Sequence, residues 1–558
     1  MSFCFLVLHL LSAKSCEISV CRQTEMAARV HNSYDSNRRK WCSISYKIRC
    51  FYSKGAFLVL FWMSLMTLTF THVYFVLIKI IFQGIVYSMT PSELALVPAV
   101  PFLLVLFAPI VGWIADARCG NYRVFRVGAC LFFLATVVCC ICVLTSLNVT
   151  QHSIVSRVVS SGISPIAYIV GFVGITACLV TALQLGLDQM PDASSANITS
   201  FIAWFVFSLA LGEWMLDSSF KCFNCFGFFI APISLLTLQA FSLVPVIAMS
   251  VLCCSLFLLA PKWLIIEPNY CPQSLKIIYQ VLKFAAKHKA PLNRSALTYW
   301  EEDIPSRMDL GKSRYGGPFT TEEVEDVKTF FKILIISLPI FIISCSLSPE
   351  IYMHSFLDNP ANCEADLISA VTYSPTWVII IVALVYEFAI YPLIRNRLPS
   401  ILKRIGIISF LVFIVNSVKL VLATVIFSYF LDLSPWLNIA YTVLFSSIFV
   451  FLLTSILEFI CAQSPYKMRG LLLGYTIVLY IISIYVGTIL IYVFNSVCVG
   501  RYCHIIEKSV FTALSLVGFV LHCLLATWYK RRVREEDYDV HRVVEEVYDR
   551  YLTQRPTV

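Results

Sequence analysis

Twelve blocks of about 20 or more apolar residues, joined by polar turns, leave this chain few ways to fold. They fall at about 56–82, 94–115, 122–146, 164–186, 198–217 and 235–260, then 329–347, 374–395, 404–430, 436–461, 470–494 and 509–529. In hydrocarbon every backbone N–H and C=O must be satisfied within the chain, and the alternation that marks a membrane barrel is absent, so the blocks are predicted to be helices. With 59% of its residues hydrophobic and 13% charged, a soluble enzyme is excluded. The expected fold is an all-α polytopic membrane protein with twelve transmembrane helices in two six-helix bundles. Its expected parts are an N-terminal segment 1–55, a bundle 56–260, a linker 261–328, a second bundle 329–530 and a tail 531–558.

The net charge of +9 is a matter of position before it is one of binding. Lys14 to Lys54 holds nine Lys and Arg, Lys262 to Lys328 holds ten, and the tail opens Lys530-Arg531-Arg532. The opposite loops offer only Arg157, Lys221, Arg501 and Lys508. Both termini and the long loop are therefore expected in the cytoplasm, the lipid bilayer rather than nucleic acid is the expected partner, and the apolar start Met1 to Ala13 reads as part of a leader without the basic flank of a signal peptide. The sequon at Asn148 then lies outside and is the candidate glycosylation site, ahead of those at Asn197 and Asn293. Leu275, Ile278 and Leu282 recur at helical spacing beside Lys276, Lys283 and Lys287, as in a helix on the membrane surface or one packed on the bundle ends.

Most of the 22 cysteines sit inside apolar blocks as small hydrophobes. Cys222, Cys225, Cys363, Cys498 and Cys503 fall in outer loops, where oxidation can occur with a pairing that sequence leaves open. The Cys222–Cys225 spacing fits half a zinc site, but no partner half lies near, so no metal is expected, and no other cofactor.

Between the second and third blocks stands Gly112-Trp113-Ile114-Ala115-Asp116-Ala117-Arg118-Cys119-Gly120-Asn121-Tyr122-Arg123. Small residues allow a tight turn there, and Asp116 can accept hydrogen bonds from an arginine or a helix N-terminus and hold one conformation. This Gly-x-x-x-Asp-x-x-x-Gly-x-x-Arg pattern resembles the loop signature of the major facilitator superfamily. Four more stretches are similar to the proton-dependent oligopeptide transporters within it. They are Leu185-Gly186-Leu187-Asp188-Gln189-Met190 with Trp204-Phe205-Val206-Phe207; Tyr386-Glu387-Phe388-Ala389-Ile390-Tyr391-Pro392; Leu402-Lys403-Arg404-Ile405-Gly406; and Leu457-Glu458-Phe459 running on to Lys467-Met468-Arg469-Gly470. The tail Glu545-Glu546-Val547-Tyr548-Asp549-Arg550-Tyr551-Leu552 adds to the likeness. The resemblance implies a divergent member of that family with the major facilitator fold. It implies a secondary transporter of a small organic solute, peptides or amino acids first, working by alternating access with protons as a coupling partner. It places Gly112, Asp116, Gly120, Arg123, Asp188 and Glu458 in the parts that set conformation.

The family's ionisable core is missing. From Ala56 to Gly84 there is no carboxylate and no arginine where a Glu-x-x-Glu-Arg would stand, and Leu179, Phe449 and Ala210 replace a Lys, a Glu and an Asn. A charge at mid-membrane costs on the order of 2.5–3.5 kcal/mol on insertion scales, so each survivor needs a reason. His72 either takes protons in a central cavity or bonds as a neutral ring between helices. Glu213 is a substrate or proton candidate, against a buried partner for a hydroxyl or backbone group. Lys419 is a third candidate on a helix that the resemblance makes peripheral, and Lys79 and Glu458 lie near span ends, where snorkelling or an ion pair explains them. The competing reading is a transporter-like receptor or scaffold without transport. No Gly-rich phosphate loop, His-Glu-x-x-His or Gly-x-Ser-x-Gly supports an enzyme. The plasma membrane and endolysosomal membranes both remain open as its location.

Overall fold

The structure, a computed structural model, describes residues 54–85, 105–148, 163–190, 197–212, 264, 274–288, 306–357, 375–391, 399–429, 435–497 and 502–529. All lie in one compact unit spanning Ser53–Val558. The helices are Lys54–Ile85 (α1), Ala108–Ile114 (α2), Asn121–Asn148 (α3), Ser164–Asp188 (α4), Asn197–Gly212 (α5), Ser274–Lys287 (α6), Thr321–Leu357 (α7), Pro375–Val385 (α8), Ile401–Tyr429 (α9), Pro435–Gln463 (α10), Arg469–Val497 (α11) and Tyr502–Trp528 (α12). Seven of these, α3, α4, α7, α9, α10, α11 and α12, are long and apolar enough to cross a membrane, with shorter apolar stretches in α1, α5 and α8. The chain is thus a multi-pass α-helical membrane protein. The expected span at 235–260, the first half of the one at 94–115, the leader and the tail lie outside the described residues, as do the side chains of Cys222, Cys225, Cys363, Cys498 and Cys503.

Local sequence explains where these helices begin and how they survive in lipid. Proline stands in the first turn of α2 and α4, where a missing N–H costs no hydrogen bond. Hydroxyls inside the spans return to their own helix: Thr69 donates to the Leu65 carbonyl (2.8 Å), Thr181 to Ala177 (2.7 Å), Ser409 to Ile405 (2.7 Å) and Thr454 to Val450 (2.8 Å). Small residues then let backbones meet, because apolar surface gains nothing by leaving lipid for another helix and packing must supply the attraction. A Cβ on Gly174 of α4 would lie 2.7 Å from the Gly128 carbonyl oxygen of α3, so the two helices cross with nothing between them. On the other side, α9 and α12 turn Ile407, Ile414, Val418 and Val421, and Val517, Val520 and Leu524, outward as lipid-facing stripes.

The span expected at 329 is the continuation of a helix that already starts at Thr321. A reciprocal cap explains the early start: the Thr320 N–H donates to Glu323 Oε2 (3.0 Å) and the Glu323 N–H to Thr320 Oγ1 (3.3 Å). Against this extension folds the segment 306–320. Lys312 Nζ reaches Asp309 Oδ1 (2.7 Å) and Glu325 Oε1 (2.6 Å), while Lys328 bonds Asp309 as well. Burial works against the Asp309 charge, but the two lysines and Ser306 overcome it and hold its carboxyl well below the usual range. The α6 helix buries Ile278, Val281 and Ala285 and sets Phe284 edge-on to Phe319 (6.0 Å), so of its two sequence readings it is the one packed on the bundle end.

Replacing Gly174 with Leu is expected to force α3 from α4 and destabilise the protein by about 1–3 kcal/mol, the usual range for overpacking. Gly406→Ala, whose Cβ meets nothing nearer than 3.6 Å, is the control and is expected to be close to neutral. Melting curves of the two purified variants check the difference.

Candidate functional site

Two sets of carboxylates with their donors gather at one end of the bundle, where α2, α4, α8 and α10 finish and α3, α5, α9 and α11 begin. We call it the inner end. There α2 passes into a π-helical turn, Ala115–Cys119, which closes through the Gly120 N–H to the Ala115 carbonyl (2.9 Å). Gly120 takes φ +76°, a left-handed value that a side chain resists, and so lets the chain reverse into α3. The turn aims Asp116 at the first turn of α11, where Oδ2 accepts the Leu471 N–H (3.0 Å) and Gly470 supplies a second backbone N–H. Unpaired N–H groups and the helix dipole make this a natural place for a carboxylate. Access depends on two glycines: a Cβ on Gly470 would lie 2.7 Å from Asp116 Oδ1, and one on Gly112 would overlap the Gly470 carbonyl. Arg469 adds an attractive charge and stacks on Tyr466 (5.6 Å). Asp188, closing α4, accepts from Asn121 Nδ2 (2.9 Å) at the start of α3.

A second latch repeats this plan with the halves exchanged. The α8 helix also ends in a π-helical turn, Tyr386–Ile390, which carries the buried Glu387. Glu387 accepts from Ser200 Oγ in the first turn of α5, as Asp116 accepts from the first turn of α11. Beside it, Glu458 near the end of α10 accepts from Thr199 Oγ1 (3.0 Å) and from Arg404 Nη2 of α9 (2.7 Å). Packing supports the polar contacts: Tyr386, Tyr391 and Ala203 are buried together, and Trp204 of α5 meets Phe388 edge-on (5.8 Å). Each latch therefore fixes the end of an α2- or α8-type helix to the start of a helix in the opposite group, α11 or α5.

Of the residues that the sequence singled out, Gly112, Asp116, Gly120, Asp188 and Glu458 come together in the two latches. Arg123 is exposed on the first turn of α3, and the arginine beside Asp116 is Arg469. Lys419 lies within electrostatic reach of Glu507 and Lys508 of α12, in the α9–α12 seam and away from both latches. His72 belongs to α1 and Asn148 ends α3, but their side chains lie outside the described residues, as does all of Glu213, which follows α5. Sequence reasoning did not single out Glu387, Ser200, Thr199, Arg404 or Gly470. The available signal was the match between Ala115-Asp116 and Tyr386-Glu387, visible when the two halves are laid over each other.

The interior between the groups is apolar where it is described. Ala210 and Phe449 share one cluster with Ile379, Ala383 and Val450, and Phe449 packs near Tyr480 (6.1 Å) above Ser344. Among the described side chains, no carboxylate lies in the middle of α1, α4, α5, α7, α8, α10 or α11.

Burial pushes the Asp116 carboxyl up to about 7, beyond what its two N–H donors and Arg469 recover. A raised value in the folded state means that the stabilising contribution is complete below about pH 4 and is lost as pH rises through about 7. The melting temperature is therefore expected to fall between pH 5 and pH 8. Asp116→Asn is expected to flatten that slope, by on the order of 4 kcal/mol at most. The same slope in the variant would assign the dependence to other groups.

No protein-family model matches the chain. Among solved structures it is similar to the POT family transporter PepTSo, at TM-score 0.56 and 15% identity over 86% of this chain and 98% of that one. A proton dependent oligopeptide (POT) family transporter gives 0.53 and 16% over 83% and 99%, and an auto inhibited POT family peptide transporter 0.53 and 12% over 86% and 98%. Identities this low carry the fold, and with the span pattern and paired latches they lead to one conclusion: this chain has the major facilitator fold.

Proposed function

We propose that the chain is a divergent proton-dependent oligopeptide transporter-type carrier, a secondary transporter that moves a small organic solute by alternating access. The observation that carries this reading is the pair of inner-end latches. Each latch ties one group to the other through a few side chains at a helix terminus, contacts that can exchange as two groups of helices rock against each other. Both latches are made in this structure, so the inner end is closed. Peptides and amino acids are the first solutes to test, because the similar solved structures include peptide transporters. The apolar cluster around Ala210 and Phe449 supports a site that holds its solute by packing and hydroxyl contacts. Proton coupling then rests on His72 and Glu213, which the sequence leaves within the spans of the first group.

The remaining assignments belong to the same reading. Segments 1–55, 261–328 and 531–558 face the cytoplasm together with the inner end, and 56–260 and 329–530 form two bundles of six spans each. Asn148 carries the glycan outside. The protein resides in the plasma membrane or an endolysosomal membrane.

The test is uptake of labelled di- and tripeptides, histidine and nitrate into liposomes holding the purified protein, with and without an inward proton gradient. Saturable, gradient-driven uptake that is lost in Glu213→Gln or His72→Ala is the expected result. Solute binding without flux under any gradient would instead establish the receptor reading.

A further inference from the structure

The α6 helix packs on the bundle end with one face and leaves the other exposed, and neither the latches nor the transport reading uses that outer face. At about 100° per residue, Leu275, Lys276, Tyr279, Lys283, Ala286 and Lys287 fall within an arc of about 120°, with the buried Ile278, Val281 and Ala285 on the far side. All six are exposed, Tyr279 by 62%. The helix carries three lysines and no acidic residue.

These lysines find no carboxylate among the described residues. Asp309 and Glu325, on the surface against which α6 packs, are held by Lys312 and Lys328. Lys283 lies over the Tyr279 ring instead (5.6 Å), a contact that keeps its ammonium on the outer face. Three like charges on one face of a 14-residue helix repel each other, and an anionic surface relieves that repulsion.

The depth of α6 identifies the surface. Phe284 of α6 and Val324 of α7 flank Gly311 together, since a Cβ there would lie 3.7 Å from each. Val324 stands five residues before the expected span start at 329, about 7.5 Å at the helical rise. The headgroup layer beside the hydrocarbon is roughly 5–8 Å thick. The helix therefore lies at the outer edge of the headgroups, and its lysines stand within a Debye length of about 8–10 Å from lipid phosphates. Tyrosine is favoured at this depth, and Tyr279 forms the apolar edge of the arc with Leu275.

We propose that the outer face of α6 docks on the leaflet at the inner end, with Lys276, Lys283 and Lys287 on anionic phospholipid headgroups and Leu275 and Tyr279 at the interface. The contact ties the segment before α7 to the membrane at the end of the bundle that carries the latches.

Lysine acetylation of the full-length protein, read residue by residue by mass spectrometry, tests this without any transport readout. Nanodiscs of phosphatidylcholine are compared with nanodiscs of phosphatidylcholine and phosphatidylserine in about equal parts. Lys276, Lys283 and Lys287 are expected to react about fivefold more slowly in the anionic discs and to recover in high salt, as about 1 kcal/mol per basic residue at an anionic surface implies. In native mass spectrometry, the triple change Lys276→Gln, Lys283→Gln and Lys287→Gln, confined to exposed positions, is expected to lower retention of phosphatidylserine at least fivefold and to leave that of phosphatidylcholine unchanged. Equal reactivity in the two discs, or unchanged phosphatidylserine retention in the triple variant, would overturn the proposal. So would protection in phosphatidylcholine alone that disappears when residues 530–558 are removed, which would assign the face to the chain's own tail.

Discussion

Where α2 meets α11, no side chain separates the two backbones. Gly112 and Gly470 face each other closely enough that a methyl group on either would collide with the opposite chain, and the gap is just wide enough for the Asp116 carboxyl to reach the Leu471 N–H. The whole inner end depends on that approach. It needs a π-helical turn to swing Asp116 off the α2 axis, a left-handed glycine at 120 to let the chain leave, and a helix that begins with free N–H groups at 469–471. The contact pairs a carboxylate with a helix terminus, and the apolar packing of Val105 and Ala108 against Val478 continues it along α11.

The α5–α8 contact obeys the same geometry with different atoms. A hydroxyl of Ser200 takes the place of a backbone N–H, a glutamate that of an aspartate, and the Glu458–Arg404 pair lies where Asp188 and Asn121 lie in the first group. The longer Glu387 side chain reaches a side-chain donor, and Trp204, Phe388 and the paired tyrosines pack beside it. Two latches of unequal chemistry on a pseudo-symmetric frame give the two sides of the inner end different sensitivities. Asp116, with its carboxyl raised to about 7, responds to proton concentration near neutrality. The Arg404–Glu458 pair, half-buried at both partners, instead resists the loss of either charge.

Much of this was legible in sequence because membrane folding is a problem of length and polarity. Apolar blocks at 122–146, 164–186 and 470–494 gave spans because nothing else satisfies the backbone in lipid, and Gly112, Asp116 and Gly120 gave a turn because their spacing has few other uses. The partner of Asp116 was not legible, since an acceptor carries no record of which helix terminus it will meet across 355 positions. Glu387 sat within a quoted stretch but was not singled out, because its role appears only when α8 is laid over α2. The early start of α7 could have been read from Thr320-x-x-Glu323, a local signal hidden by attention to hydropathy alone.

The account stands on the inner end being the part that opens. Spin labels on Arg126 of α3 and Lys403 of α9, one in each group and both exposed, would report that motion by pulsed dipolar spectroscopy in lipid nanodiscs. Two distance populations are expected, the shorter one matching the closed latches described here, with Gly470→Leu shifting the protein strongly toward the longer. A single distance unchanged by Gly470→Leu in a folded protein would contradict the account, because the α2–α11 approach would then not hold the closed state.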